Sequence, residues 1–441
     1  MSLLHGWLPT AVQILAALAV GIAVLGRSRR WRRVWIPVSG LAGGALALAV
    51  YLYLRSAGLI DDTNPAPWTL WLWIALSGMT FGGLLTGLRG ARWWQRTARV
   101  TALPLCALCT ALVLNIWVGY FPTLQTAWDQ FTTSPLPDQT DLVAVSTARQ
   151  EHQLPRKGSV VAVDIPPTNS GFRHRQEFVY LPPAWFADSR TVSLPAVMMI
   201  GGEFNTPADW LRAGRAIETL DTFAAAHHGY APVFVFADPG GTFDNDTECV
   251  NGPRGNSADH LVRDVVPYVE SHFGVSTASP QWAVAGFSMG GTCAVDLAVM
   301  HPDVFGAFLD IAGDAAPNAG TRSETIARLF AGNEQSYLSF DPATVMTRHG
   351  PYVDLAGWFD VNGPVFPTAQ TKPNDQAVAA RSLCSAGTGA GIDCAVVSRP
   401  GNHDWPFASR AFTAALPWLA GRLGTPGAPQ IDLPATARGV A

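Results

Sequence analysis

Four stretches of the chain carry no Asp, Glu, Lys or Arg: residues 1–26, 34–54, 63–88 and 100–128. Each is at least as long as the roughly 20 residues a helix needs to cross the hydrocarbon core of a bilayer. Spans are predicted over Leu8–Leu25, Val34–Leu54, Leu70–Leu88 and Val100–Tyr120, forming a four-helix transmembrane segment over residues 1–120. Trp7, Trp35, Trp68 and Trp117 fall near span ends, where interfacial anchors sit. The first span reads as a retained helix rather than a cleaved leader, because no basic residue precedes it and Arg27, Arg29, Arg30, Arg32 and Arg33 follow it. Residues 121–157 lack helical periodicity and read as a linker. From 158 to 423 short apolar runs alternate with amphipathic stretches. Val160–Val163, Glu177–Leu181, Ala196–Ile200, Val233–Phe236, Trp282–Ala285, Gly357–Val361 and Ala395–Ser398 have the character of strands, the central ones apolar throughout as in a parallel sheet. Ala208–His227 and Ala258–His272 read as helices between them. That alternation predicts one doubly wound α/β domain with a mostly parallel sheet. The Pro/Gly/Ala-rich tail, 424–441, is expected to lack regular structure.

Charge sharpens the division. The 441 residues carry a formal net charge of −4, but residues 1–128 hold ten Arg, no Lys and only Asp61 and Asp62 as acids, a sum of +8. The rest therefore carries −4 − 8 = −12, which argues against a nucleic-acid partner. Arg27, Arg29, Arg30, Arg32 and Arg33 in the first loop and Arg89, Arg92, Arg96 and Arg99 in the third put both loops in the cytoplasm by the positive-inside rule. The N-terminus and everything after the fourth span then face outward, and the catalytic domain is extracytoplasmic. No span carries an ionisable residue at mid-depth, so the bundle reads as an anchor, with Cys106 and Cys109 as packing residues.

The chemistry concentrates at Gly286-Phe-Ser288-Met-Gly290, between the apolar strand Trp282–Ala285 and the apolar helix Ala294–Met300. G-x-S-x-G between strand and helix is a nucleophile elbow. The glycines permit a turn too tight for side chains, and the helix N-terminus and the Met289 N–H face the anion that forms on an attacked carbonyl. A triad on this α/β-hydrolase architecture runs Ser, acid, His along the chain. Of His301, His349 and His403, only His403 in Pro-Gly-Asn-His403-Asp-Trp follows a strand. His301 suits a helix end. The acid has two candidates: Asp375, opening the helix from Gln376, and its rival Asp360 near the end of Gly357–Val361. Asp404 adjoins the histidine too closely to orient it. The second oxyanion donor is expected from Gly201-Gly-Glu-Phe-Asn205, through the N–H of Glu203 or Phe204, and Asp238-Pro-Gly-Gly241 is expected to shape the pocket. The four outer cysteines allow three pairings; locality favours Cys384 with Cys394, which leaves Cys249 for Cys293. No Cys/His spacing of a zinc site occurs, and neither a metal nor an organic cofactor is implied.

These residues resemble a known family. Tyr180-Leu-Pro-Pro, the Gly201-Gly202 loop, Phe236-Ala-Asp-Pro-Gly, Asp264-Val-Val-Pro-Tyr-Val, Gly-Phe-Ser288-Met-Gly-Gly, His-Pro-Asp-Val-Phe-Gly306 and Gly-Asn-His403-Asp-Trp look like the esterase family of esterase D-like hydrolases and antigen 85 mycolyltransferases. The preceding helices and the Cys249 and Gly-Gly-Thr-Cys293 pair look like its membrane-anchored actinobacterial members. By that resemblance Ser288 is nucleophile and His403 base. The family's Gly-x-x-Asp at the strand end has no counterpart in Asn362-Gly-Pro-Val365, which leaves Asp375 and Asp360 in competition. The expectation is a membrane-anchored serine esterase acting on a lipid or cell-envelope ester. Its alternatives are a mycolyltransferase-like acyltransferase and a non-catalytic envelope scaffold.

Overall fold

The structure, a computed structural model, describes residues 1–24, 29–56, 65–87, 93–132, 135–187, 193–365 and 373–435. Leu25 and Leu88, taken above as span ends, and the loop residues Arg27, Asp61, Asp62, Arg89 and Arg92 lie outside the described residues. The chain divides into two units, residues 1–134 and 135–441.

In the first unit four apolar segments form helices: α1 (Trp7–Val24), α2 (Arg29–Ser56), α3 (Trp68–Gly87) and α4 (Trp93–Val118). α1 packs on α4, α4 on α3, and α3 on α2. Where α2 meets α3, a Cβ on Gly43 would stand 2.1 Å from the Ala75 carbonyl oxygen. A small residue is what lets two apolar helices approach this closely. Ala16, Trp73, Val113, Cys106 and Cys109 are buried between helices, and both cysteines are free thiols that serve as packing. Leu41, Leu85 and Phe81 stand exposed on the outside. Among the described residues three helices are long and apolar enough to cross a membrane, within Arg32–Ser56, Trp68–Leu85 and Trp93–Val118. The expectation of four is corrected here. The apolar stretch described for α1, Trp7–Ala23, is shorter; at 1.5 Å per residue it spans about 26 Å against a core of about 30 Å.

Among its described residues the second unit holds a nine-stranded sheet. Its strands are β1 (Gln139–Thr140), β2 (Ser159–Val163), β3 (Glu177–Leu181), β4 (Ala196–Ile200), β5 (Val233–Ala237), β8 (Trp282–Phe287), β9 (Ala307–Ile311), β10 (Ala356–Asn362) and β11 (Asp393–Arg399), while β6 (Asn251–Gly252) and β7 (Gly255–Asn256) form a separate hairpin. The order across the sheet is β1-β2-β3-β5-β4-β8-β9-β10-β11. β3 is antiparallel to both neighbours and the remaining pairs are parallel. Strands β3, β4, β5, β8 and β9 are buried along their whole length. That explains their mostly apolar sequences, since helices cover both faces. The two charged exceptions, Glu177 in β3 and Asp310 in β9, are buried and hydrogen-bonded to backbone N–H groups, Glu177 to that of Asp238 and Asp310 to that of Gly313.

Two expectations need revision. Within the supposed linker, Leu124–Phe131 and Leu142–Gln150 are helices and β1 pairs with β2. The second helix is capped by Asp141, whose Oδ1 accepts from the Ala144 N–H at 2.7 Å, and Val145 is buried in the core. Arg149 lies over the Trp185 ring, 4.1 Å from its centroid. Elements this short show little periodicity in sequence; tertiary contacts create them. The predicted helix Ala208–His227 is two, Pro207–Arg212 and Ala216–Ala226, because Arg215 takes a left-handed φ of 54° between them. The expected disulfides are both present, Cys249–Cys293 and Cys384–Cys394.

Candidate active site

Ser288 stands where β8 turns into the helix Met289–Met300, with φ 58° and ψ −123°. A non-glycine residue held there is strained, and such strain concentrates at functional sites. The turn closes only because its flanks lack side chains. A Cβ on Gly286 would lie 2.1 Å from the Gly290 carbonyl oxygen, and one on Gly290 would lie 2.3 Å from that of Ile200. The Ser288 N–H donates to the Ile311 carbonyl at 2.9 Å, fixing the turn to β9. The Met289 N–H, first in the helix, has no intrahelical acceptor.

His403 leaves β11 just before the helix Trp405–Arg422, which Asp404 caps by accepting from the Phe407 N–H at 2.8 Å. Its Nε2 is 2.9 Å from Ser288 Oγ. Its ring packs 4.8 Å from Phe287, which in turn lies 5.5 Å from Trp405. The two residues are 115 apart in sequence; parallel strands bring them together at one end of the sheet, where α/β folds place their sites. His301 caps the C-terminus of the Ser288 helix and His349 ends the helix Pro342–His349, both away from this pair's bond.

The two candidate acids differ sharply. Asn374 caps the helix Asp375–Gly389, accepting from the Ala377 N–H at 2.8 Å, and Asp375 is merely its exposed first residue. Asp360 is fully buried in β10, paired in register with Ile311 on one side and Val397 on the other. Its Oδ2 accepts from Arg399 Nε at 2.7 Å and Trp358 Nε1 at 3.2 Å, while its Oδ1 has no hydrogen-bond partner among the described residues. Burial raises its carboxyl above the ordinary range despite Arg399. The described bond of the His403 imidazole runs to Ser288.

The loop 201–205 folds against the serine: a Cβ on Gly202 would lie 3.2 Å from Ser288 Cβ. The Gly202 N–H donates to Asn205 Oδ1 at 2.9 Å and the Asn205 N–H to the Gly202 carbonyl at 3.2 Å. These bonds occupy the outer amides, so Glu203 and Phe204 hold the N–H groups still open to a ligand. Phe204 has φ 62°, and its ring lies 5.4 Å from exposed Phe243.

Burial pushes the Glu203 carboxyl up to about 7, with Asp246 adding repulsion and Arg254 partly offsetting it. A folded value above the unfolded one, near 4.5, makes the carboxylate a cost that is absent at pH 4 and complete above pH 7. Glu203→Gln should therefore raise the melting temperature at pH 8 and leave it unchanged at pH 4. Equal shifts at both pH values would refute the titration.

One cluster among the described residues brings metal-type ligands together, His174, Glu177 and His260, which no sequence spacing announced. Their rings stack 4.4 Å apart at 17°. His174 turns Nδ1 to the Arg175 carbonyl at 2.8 Å and Nε2 to that of Ile165 at 2.6 Å. His260 Nε2 meets Glu177 Oε1 at 3.1 Å. Nearly parallel rings direct their in-plane lone pairs into separate layers, so this set suits hydrogen bonding better than coordination.

Residues 172–419, over half of the chain, match the family described as "Putative esterase". The chain belongs to this esterase family. An uncharacterized protein of Corynebacterium glutamicum is 28% identical over 351 residues, covering 77% of this chain and 79% of its own. Among solved structures, an S-formylglutathione hydrolase from Agrobacterium tumefaciens is 17% identical with a TM-score of 0.48, covering 61% of this chain and 97% of that one. MPT51 of Mycobacterium tuberculosis is 17% identical with a TM-score of 0.40, covering 59% and 100%. In this member of the esterase family the elbow and His403 both lie within the matched residues.

Proposed function

We propose that the protein is a membrane-anchored, extracytoplasmic serine esterase acting on a lipid or cell-envelope ester. The observation that carries this reading is Ser288 Oγ, on a strained elbow, at 2.9 Å from His403 Nε2. His403 takes the hydroxyl proton as Ser288 attacks the ester carbonyl. The tetrahedral oxyanion is held by the N–H groups of Met289 and of Glu203 or Phe204. Collapse expels the alcohol, protonated by His403, and leaves an acyl-Ser288 that water then hydrolyses. Asp360 is the better acid: it is buried, lies in the strand beside the one that leads to His403, and keeps one oxygen unbonded among the described residues. Asp360→Asn should slow acylation at least tenfold, whereas Asp375→Asn should stay within about twofold. The reverse order would return the role to Asp375.

What supports the anchoring is the apolar helices of the first unit, and what supports an outward C-terminal unit is the arginine bias of the first and third loops. Two disulfides in that unit accord with an oxidising compartment. A membrane-impermeant fluorophosphonate applied to intact cells tests chemistry and sidedness together. Labelling of the wild type is expected. Labelling seen only after permeabilisation would reverse the topology, and no labelling of folded protein in either case would defeat the serine mechanism.

A further inference from the structure

Arg175 precedes β3 and is outside every motif noted above, yet it joins two loops at the active site. Its backbone N–H donates to Asp238 Oδ2 at 2.5 Å, its Nε to both carboxylate oxygens at 3.1 Å, and its Nη2 to Oδ1 at 2.5 Å. The same Nη2 donates to the Asn205 carbonyl at 2.8 Å. Asp238 is fully buried and its position is over-determined: Gly240 and Gly241 donate to its carboxylate, and its own N–H donates to Glu177 Oε1 at 2.8 Å. Glu177, also fully buried, is held by His260. A chain of hydrogen bonds therefore runs from buried His260 through buried Glu177 and Asp238 to the partly exposed Arg175, and ends on the carbonyl of Asn205.

Asn205 closes the loop over Ser288, since its side chain accepts from the Gly202 N–H and its own N–H donates back to Gly202. The two amides between, Glu203 and Phe204, are the oxyanion donors of the reading above. Such donors act only if they are aimed before charge develops. A five-residue loop with Phe204 at φ 62° has no regular structure of its own to hold that aim.

We propose that Arg175 is a positioning residue that fixes the oxyanion loop by tying Asn205 to the buried Asp238 carboxylate. It touches no reacting atom; it sets where the Glu203 and Phe204 N–H groups point. A planar guanidinium can serve a carboxylate and a carbonyl at once, which an ammonium cannot do in the same geometry.

The inference rests on the serine-esterase reading, so its test carries a separate control. Full-length protein in detergent is labelled with a fluorophosphonate and assayed on a short-chain p-nitrophenyl ester, as wild type, Ser288→Ala, Arg175→Met, Arg175→Lys and Tyr180→Phe. Tyr180→Phe removes a bond to Asp221, made at 2.9 Å elsewhere in the domain, and controls for destabilisation alone. Arg175→Met should lower the labelling rate and kcat about 10- to 100-fold with KM little changed, as misplacement by about an ångström does. Arg175→Lys should fall between, and Tyr180→Phe should match the wild type. Amide exchange of residues 201–205 should quicken in Arg175→Met but not in Tyr180→Phe, a readout independent of activity. Labelling in Arg175→Met at the wild-type rate, or unchanged exchange in that loop, would overturn the assignment. An unlabelled wild type whose loop exchange does respond to Arg175→Met would defeat the serine reading and leave Arg175 as a loop brace only.

Discussion

Ser288→Ala is expected to abolish fluorophosphonate labelling and to lower ester hydrolysis by about 10⁴-fold or more, with unchanged thermal stability. The size follows from what the residue does. Without Oγ no acyl-enzyme forms, and the remaining oxyanion donors can only assist direct attack by water. Stability should not move, because the backbone and not the side chain carries the turn: Gly291 and Thr292 both donate to the Ser288 carbonyl, and the Ser288 N–H reaches Ile311. Removing Oγ relieves nothing at φ 58°, where alanine is as strained as serine. His403→Ala should lose nearly as much, since a neutral serine hydroxyl is a poor nucleophile without its base, and the two losses should not add. The measurement is gel fluorescence of labelled protein beside a melting curve. A labelled Ser288→Ala protein would place the reactive group elsewhere.

The second large effect concerns stability. Replacing Cys249 and Cys293 together by Ser should cost about 4 kcal/mol, the chain-entropy value for a loop of about 44 residues. That bond joins the segment after β5 to the fifth residue of the serine's own helix. Both cysteines are buried, so the hydroxyls also enter an apolar core. The loop between them includes β6, β7, the helix Val266–Phe273 and β8, all of which gain freedom in the unfolded chain once the link is gone. Cys384→Ser with Cys394→Ser should cost less, because the loop is 10 residues. Chemical denaturation of the two double variants gives the comparison; a larger loss from the shorter loop would contradict the entropic account.

The sequence made the elbow legible because the strand, the glycines and the helix each leave a local trace. Gly286, Ser288 and Gly290 fall within five residues, and the steric reason for each is local. His403 was reachable by elimination, being alone among the later histidines in following a strand. The acid was not. Asp375 reads naturally as a helix opener, but exposure is a tertiary property, and nothing in Asn374-Asp375 tells that the cap is Asn374. Arg175 and Asp238 are 63 residues apart, and their pairing depends on β3 running antiparallel to β5, which an apolar run does not disclose. The short helix Leu142–Gln150 escaped for a related reason: it is nine residues long and exists by packing on the sheet.

That helix and β1 bear on how the catalytic unit can be handled alone. β1 contributes only two residues, yet it occupies the outer main-chain groups of β2 at Val160 and Val161. A soluble fragment begun at residue 158, the boundary the sequence pattern suggests, would leave those groups facing water along a strand rich in valine. Sheet edges of that kind join to their counterparts on other molecules. A fragment begun at residue 135 would carry its own edge protection and should remain monodisperse where the shorter one aggregates.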